Sequence, residues 1–516
     1  MMKPTYIDVL LDELQAHGAQ PVLRYRNTTI SGDTLRRLIY CYARALSSLG
    51  IGRGALVALF APNHPDALAV RYAANLLGAA AMYLPAPAMA DRRAALLERI
   101  SPTLLVVFGE TAHLVPRTVN VRTVYIGKSE GAPRLDHLAA IQPDTPIACR
   151  AHADDLAVIA SSGGTTGVPK GSRRSFARYT ALVSGPRCDG MRRLINGPLA
   201  YLSQVLVDAT LIGGGSIVLQ SRYDAALTLA AIEAERITDL FLAEPQLFDL
   251  MDYADARTRD VSSLRAITHI GGDAPAILRR RAIERFGPIL THTYGASEAG
   301  LVSMLKPSDY VHNVRLLDTA GRVRAGVEVR IRRVGGTLAR VREHGLIEVK
   351  SAAVAQGYYH QPLESAHKFS DGWCMTGDVG LIDEQGFLHV LGRAADVVEI
   401  GGRVIGPVQI EEVLCGLADV RYAVAFASRT GIGALTWNVA VEPWGDRRVD
   451  LGRCRRAVDA AFGGLVSGAM RIISMKRVPL TEQGKIDRNA VEERVRDAYR
   501  SDDRTPENAP LALLIA

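Results

Sequence analysis

The chain has 516 residues, 48% hydrophobic and 22% charged, a balance that suits a globular protein of two or more domains and excludes extensive disorder. Its 61 basic residues stand against 54 acidic ones and are dispersed, so the pI near 9.1 marks a mildly basic surface and requires no nucleic acid. Six cysteines without a CxxC pair and twelve histidines without HExxH point to neither a zinc cage nor a disulfide framework, and no apolar run predicts a transmembrane segment, so a cytoplasmic protein is expected.

In chain order, Leu35, Leu38, Ile39, Tyr42, Leu46 and Leu49 recur at helical spacing after Asp33 and stop at Gly50, which predicts a helix between those two residues. The apolar runs ALVALFAPN, TLLVVFG and TVYIG read as buried strands, and HPDALAVRYAANLLG reads as a helix between them. Strands alternating with helices predict βαβ units, a largely parallel sheet and an α/β fold.

The loop SSGGTTGVPKG, Ser161 to Gly171, follows the strand-like LAVIA and precedes the helical-looking SRRSFARYTALV. A loop of small and hydroxylated residues lets backbone N–H groups and the Thr165 and Thr166 hydroxyls approach phosphate oxygens, with Lys170 supplying positive charge. It fits neither GxxxxGK[ST] nor GxGxxG, which disfavours a P-loop kinase or a Rossmann dehydrogenase. After it come NGPLAYLSQ, GGDAP at Gly271 to Pro275, YGASEAG, then TGDVGLIDEQGFLHVLGRAADVVEIGGRVIGPVQIEEVL. Past Arg393 the pattern restarts, with a helix at VQIEEVL, strands at YAVAFAS and TWNVAVEP, and a helix around CRRAVDAAF. PLTEQGKIDR follows, and RSDDRTPENAP reads as a loose tail.

These motifs, in this order and at these spacings, resemble the adenylate-forming superfamily of acyl-CoA synthetases, aryl-CoA ligases, luciferases and peptide-synthetase adenylation domains. The resemblance implies a large N-terminal domain, residues 1–394, with mixed sheets and helices in layers, and a small mobile α+β C-terminal domain, residues 395–516. It implies ATP and Mg2+ as cofactors, a small-molecule carboxylic acid as substrate, and coenzyme A or a carrier-protein phosphopantetheine as acyl acceptor. Ser162, Gly163, Gly164, Thr165, Thr166, Gly167 and Lys170 would hold phosphates, with Thr165 among the catalytic groups. Gly271 and Gly272 would lie between nucleotide and acyl pocket, Tyr294, Gly295 and Ser297 against the nucleotide, and Glu298 at the magnesium. Asp378, an acceptor-only carboxylate, would take both ribose hydroxyls, and Arg393 would add a donor fork. Gly401 and Gly402 belong to the segment that would form the pantetheine tunnel, and Lys485 would reach the reacting carboxylate.

Three departures matter. Ala395 replaces the usual polar hinge residue, Glu399 stands where many relatives carry lysine, and Leu202 stands near the aspartate that would hold an amino acid's amine, so a free amino acid is not expected. Tyr201 is the match to the acyl-pocket gate, and the leucines of LAYLSQVLV and LFLAEPQLFDLM favour a fatty acid. The expected function is therefore acyl-CoA synthesis through an acyl adenylate. Loading of a carrier protein is the alternative, and a non-catalytic nucleotide-binding module the distant one. Cys374, beside the TGD turn but without a paired histidine, reads as a packing residue.

Overall fold

Strands with side chains buried on both faces organise the first half of the chain. The computed structural model describes residues 4–85, 90–118, 120–128, 133–161, 170–270, 274–429, 435–481 and 483–500, and the backbone of 512–513. A six-stranded sheet runs in the order Thr123–Ile126, Leu104–Phe108, Leu56–Phe60, Ala80–Tyr83, Leu156–Ser161, Gly171–Ser175, all parallel except the last pair. A nine-stranded sheet is parallel from Leu290–Ala296 through to Pro21–Tyr25 and antiparallel at its edges.

Alternation along the strands assigns the layers. Val57, Leu59, Val106 and Phe108 face the helices Tyr6–His17, Gly32–Ser48 and Pro65–Leu76, which share one core with Val22, Ile195 and Ile217 of the larger sheet. Leu56, Ala58 and Val107 face outward onto the helix Ala90–Ile100. Helices cover both faces of each sheet, the arrangement that near-continuous apolar strands require. A third, antiparallel sheet includes Gly345–Ser351, Trp373–Ile382 and Leu388–Arg393.

Residues after Arg393 form a hairpin, Val398–Ile400 with Arg403–Ile405, and a three-stranded sheet, Val420–Arg429, Leu435–Pro443 and Met470–Ser474. The helices Pro407–Cys415, Leu451–Phe462 and Arg488–Arg500 accompany them. This part shares a core with the outer helices of the nine-stranded sheet, where Phe248 and Tyr422 meet at 5.2 Å between ring centroids. Arg421, 8% exposed, forms an ion pair with Asp252 at 2.9 Å and donates to Glu442 at 2.6 Å and to the Phe248 carbonyl at 3.2 Å.

Two sequence expectations are corrected. The second helix is capped by Ser31, whose hydroxyl accepts from the Thr34 N–H, and Asp33 lies inside it beside the positive end of the helix. After Lys170 the chain forms a strand first and the helix only at Phe176–Val183. The phosphate loop thus joins two antiparallel strands, not a strand to a helix.

Behind this region, His269 and His292 are opposed on neighbouring strands with ring centroids 4.6 Å apart, both fully buried. Arg279 lies 3.0 Å from His292 Nε2, and because guanidinium only donates, Nε2 must accept and the ring must be neutral. Burial first, then Arg279, push both imidazoles well below their usual value. The unfolded chain therefore binds protons that the folded one refuses. The stability due to neutral rings is complete above about pH 6.5 and is lost as pH falls below it, by up to about 1.4 kcal/mol per pH unit for each ring. His269, with no partner on either ring nitrogen among the described residues, is the cleaner probe. His269→Leu should make the drop in unfolding midpoint between pH 7.5 and 5.5 shallower than in the wild type, as thermal melts at both pH values can check.

Candidate functional site

The third sheet places the TGD motif. Asp378 and Arg393 are direct cross-strand partners in the register of Trp373–Ile382 and Leu388–Arg393, so the match between motif and fold begins in the backbone. Gly377 turns with φ +84° just before Asp378, whose N–H donates to the Thr376 hydroxyl at 3.1 Å. The carboxylate is 7% exposed. Its Oδ2 accepts from the Tyr294 hydroxyl at 2.6 Å, and Arg393 Nε lies 3.2 Å from Oδ1. An ionised carboxylate is acceptor-only with roughly four acceptor positions, a chemistry that suits hydroxyl groups such as those of a ribose. Burial, and then Asp378, raise the Tyr294 hydroxyl well above the usual phenol range, which keeps it a donor to that carboxylate.

Tyr294 comes from the strand Leu290–Ala296, which turns through Ser297 and Glu298 into Gly300–Leu305. Glu298 is half-buried, and its Oε1 accepts from the Tyr358 hydroxyl at 2.8 Å. Lys170 Nζ lies 5.1 Å from the centroid of the Tyr358 ring, within cation–π range. The segment carrying Tyr358 is itself stitched to Gly171–Ser175: Arg173 N–H donates to the Gly357 carbonyl at 2.9 Å and Tyr359 N–H to the Gly171 carbonyl at 2.8 Å. Lys170, Tyr358 and Glu298 thus line up beside the end of the phosphate loop. Of that loop, Ser162, Gly163, Gly164, Thr165, Thr166 and Gly167 lie outside the described residues, as do Gly271 and Gly272.

A half-buried carboxylate such as Glu298 fits magnesium, which uses one or two carboxylates and completes its shell with phosphates and water. Among the described residues no group of three His, Cys, Asp or Glu side chains could form an all-protein cage. Glu298 would hold the ion together with ATP.

The remaining residues are less tightly grouped. Tyr201 interrupts the turn Leu199–Ser203 with non-helical φ −130° and ψ −137°, and packs partly buried against the central core. Gly401 and Gly402 form the exposed tip of the hairpin with φ +58° and +76°, conformations that admit glycine without strain. Lys485 is exposed on a turn whose neighbour, Gly484, has φ +75° and sits so close to Gln246 that a Cβ there would collide with the Gln246 carboxamide. That turn therefore rests on the start of the helix Glu244–Asp252, in the segment read as acyl pocket. Cys374 is fully buried, and burial pushes its thiol up to about 12, in keeping with packing and against a nucleophile. The leucines do not decide the substrate: Leu199 belongs to the central core with Leu206 packed against it, and Leu240, Leu242, Leu247 and Leu250 belong to the outer one.

Arg174, Tyr358 and Gln356 are not singled out by sequence reasoning. The SRRS stretch carries no local sign of burial, yet Arg174 is 1% exposed, and the Gln356 carboxamide accepts from the Ser175 N–H at 2.7 Å.

Fold, loop and buried carboxylate define an AMP-binding enzyme: the chain belongs to that family, whose match covers residues 11–359. Among its relatives is a medium/long-chain-fatty-acid–CoA ligase of Mycobacterium tuberculosis, 29% identical, covering 94% of this chain and 89% of that one. A feruloyl-CoA synthase of an Amycolatopsis species is 29% identical over 77% of this chain and 80% of its own. The amide bond synthetase McbA from Marinactinospora thermotolerans superposes with a TM-score of 0.84 at 28% identity, covering 95% of this chain and 99% of that one. No helix among the described residues is long and apolar enough to cross a membrane.

Asp378→Ala would remove the carboxylate that pairs with Arg393 and accepts from the buried Tyr294 hydroxyl, and with it the ribose contacts expected of that residue. ATP affinity should fall by about 2 to 5 kcal/mol, the cost of removing one partner of a buried charged contact. Calorimetric titration with ATP measures this, and unchanged affinity would refute the ribose assignment.

Proposed function

We propose that this protein uses Mg-ATP to activate a carboxylic acid with an apolar acyl group, fatty or aryl, and transfers the acyl group to the thiol of coenzyme A. The observation that carries the reading is the buried Asp378 side chain, which accepts from the Tyr294 hydroxyl and pairs across the strands with Arg393. In the first step a carboxylate oxygen forms a bond to the α-phosphorus and the bond to pyrophosphate breaks. Both reactants are anions, so fixed cations and donors at the developing charge supply most of the rate. Asp378 and Arg393 orient the nucleotide, Lys170 and the phosphate loop with Thr165 bind its phosphates, and Glu298 holds the magnesium that offsets phosphate charge. Lys485 reaches the reacting carboxylate from the turn resting on Gln246. Tyr201 gates the acyl pocket.

In the second step the thiol sulfur attacks the acyl carbon, its proton is lost, and the C–O bond to AMP breaks. Residues 395–516 act as a mobile unit that withdraws Lys485 and brings the Gly401–Gly402 tip to the site. The relatives' names, a fatty-acid ligase and a feruloyl-CoA synthase, support an apolar acid without choosing between chain and ring. A phosphopantetheine thiol on a carrier protein could replace coenzyme A with no change to the first step. An amine acceptor is a second reading, favoured by Glu399 on the hairpin and by the likeness to an amide bond synthetase.

Two measurements test this. Pyrophosphate release across a panel of fatty and aryl acids, with and without coenzyme A, should require Mg-ATP and the acid; production of ADP instead would refute adenylation. Lys485→Ala should slow adenylate formation by roughly 10² to 10³, the loss expected for a donor serving the transition state. Supplied with synthetic acyl adenylate and coenzyme A, the same variant should form thioester at near the wild-type rate. Equal slowing of both half-reactions would exclude the division of labour proposed here.

A further inference from the structure

Arg174 is a fully buried cation to which the mechanism has assigned no task. It lies four residues past Lys170 on the strand that leaves the phosphate loop. Its Nε donates to the Ala353 carbonyl at 2.8 Å, and one terminal nitrogen donates to the carbonyls of Ser297 at 2.7 Å and Glu298 at 3.1 Å. Ser172 Oγ, 3.4 Å from the other nitrogen, is a weak further partner. These partners are neutral dipoles. Burial pulls the guanidinium down to about 10, and the carboxylate of Glu298 acts in the opposite direction. A buried charge is costly unless something compensates it, and a few carbonyls compensate only in part.

The geometry gives that cost a purpose. Arg174 holds the backbone of Ser297 and Glu298, while Tyr358 holds the Glu298 carboxylate. Arg174 belongs to the strand following the phosphate loop, and Tyr358 belongs to the segment paired with that strand. Glu298 is therefore fixed at both ends by groups in register with the loop. A second tie runs from the Ala355 N–H to the Glu298 carbonyl at 2.8 Å, whereas the Ser297 carbonyl depends on Arg174 and on a long 3.3 Å contact from Ser172.

We infer that Arg174 is a positioning residue of the polyphosphate site: it fixes the Ser297–Glu298 turn to the phosphate-loop strands so that Glu298 meets the divalent cation of Mg-ATP already in place. Its own buried charge adds to the attraction for polyphosphate. This rests on the proposed role of Glu298 as a magnesium ligand and adds a residue that acts through it.

The test uses full-length Arg174→Gln and Arg174→Lys. Gln removes the charge and most donors and is shorter; Lys keeps the charge but cannot span three carbonyls. In pyrophosphate release at fixed ATP, the Gln variant should need about 10 to 100 times more Mg2+ for half-maximal rate, the range seen when a ligand's supporting partner is lost. Its kcat should fall about 10²-fold, as for misplacement near 1 Å, with KM for the acid moved less than about twofold. Lys should fall between Gln and wild type. Thioester formation from synthetic acyl adenylate, which needs no polyphosphate, should stay near wild type in both variants and so reports an intact fold. A Gln variant competent in that half-reaction, with Mg2+ midpoint and kcat within about twofold of wild type, would overturn the inference. If the Gln variant does not fold, an unaltered Mg2+ midpoint in the Lys variant overturns it equally. Should the wild type bind Mg-ATP yet release pyrophosphate with no acid, the proposed function fails, and Mg2+-dependent ATP binding by the variants still decides the role of Arg174.

Discussion

A buried carboxylate that must stay ionised is the constraint around which the site is organised. Asp378 cannot be left alone at 7% exposure, because an unpaired buried charge is costly and favours taking up a proton. Cross-strand pairing supplies Arg393 as the compensating cation, and Tyr294 arrives from another sheet as donor. Arg393 also ends the last strand before residue 395. Its NH1 donates to the Thr376 carbonyl at 3.2 Å, a carbonyl shared with Lys368 Nζ at 2.8 Å, so the Asp378–Arg393 pair and the exit of the chain depend on one short stretch of backbone.

Beyond that exit the chain is tied down on its far side. Arg281 donates to Asp252 at 2.7 Å and to the Arg421 carbonyl at 3.1 Å, and lies 4.5 Å from the Trp444 ring centroid. Asp252 is thereby shared between two arginines, one on each side of the contact. Networks of this kind add little to stability, because desolvation offsets most of the Coulomb gain, but they are demanding in geometry and costly to break halfway. A unit that is to rotate must release Arg421, Arg281 and the Phe248–Tyr422 pair together, which favours discrete positions over continuous drift. Ala395, small and uncharged, imposes no ion pair of its own on that choice, whereas its neighbour Asp396 is paired with Arg488.

Much of this is legible in the sequence because local signals and tertiary need coincide. ALVALFAPN and TLLVVFG read as buried strands since both faces are covered, and their periodicity requires no knowledge of partners. Asp378 and Arg393 are legible through their motif. The register that pairs them is not, because pairing depends on a partner strand that no single run of residues announces. The SRRS segment reads as the start of a helix and is a strand instead: its strand character comes from antiparallel pairing with Leu156–Ser161 and from hydrogen bonds to residues near 357, far along the chain. The same distance hides Arg174, whose acceptors are carbonyls 123 to 179 residues away. The leucines leave the acid open, since a core and an acyl pocket are built from the same side chains and only packing separates them.

The choice of acceptor turns on charge rather than on shape. Any thiol or amine must approach an acyl adenylate, whose phosphate is anionic, and coenzyme A brings further phosphates of its own. Lysine on the hairpin would favour such an approach, and Glu399 does the reverse by roughly the strength of one charge pair, about 1 kcal/mol at 4 Å in water and more where solvent is excluded. Glu399 is exposed, so screening by salt reduces the effect for a long-range encounter and preserves it only for groups that come into contact. A neutral pantetheine arm passing the Gly401–Gly402 tip would be little affected, while the nucleotide end of coenzyme A would be repelled only if it lay near the hairpin. Glu399 would therefore act chiefly on an acceptor's charged groups, and the ionic-strength dependence of acyl transfer would separate a charged acceptor from a neutral one.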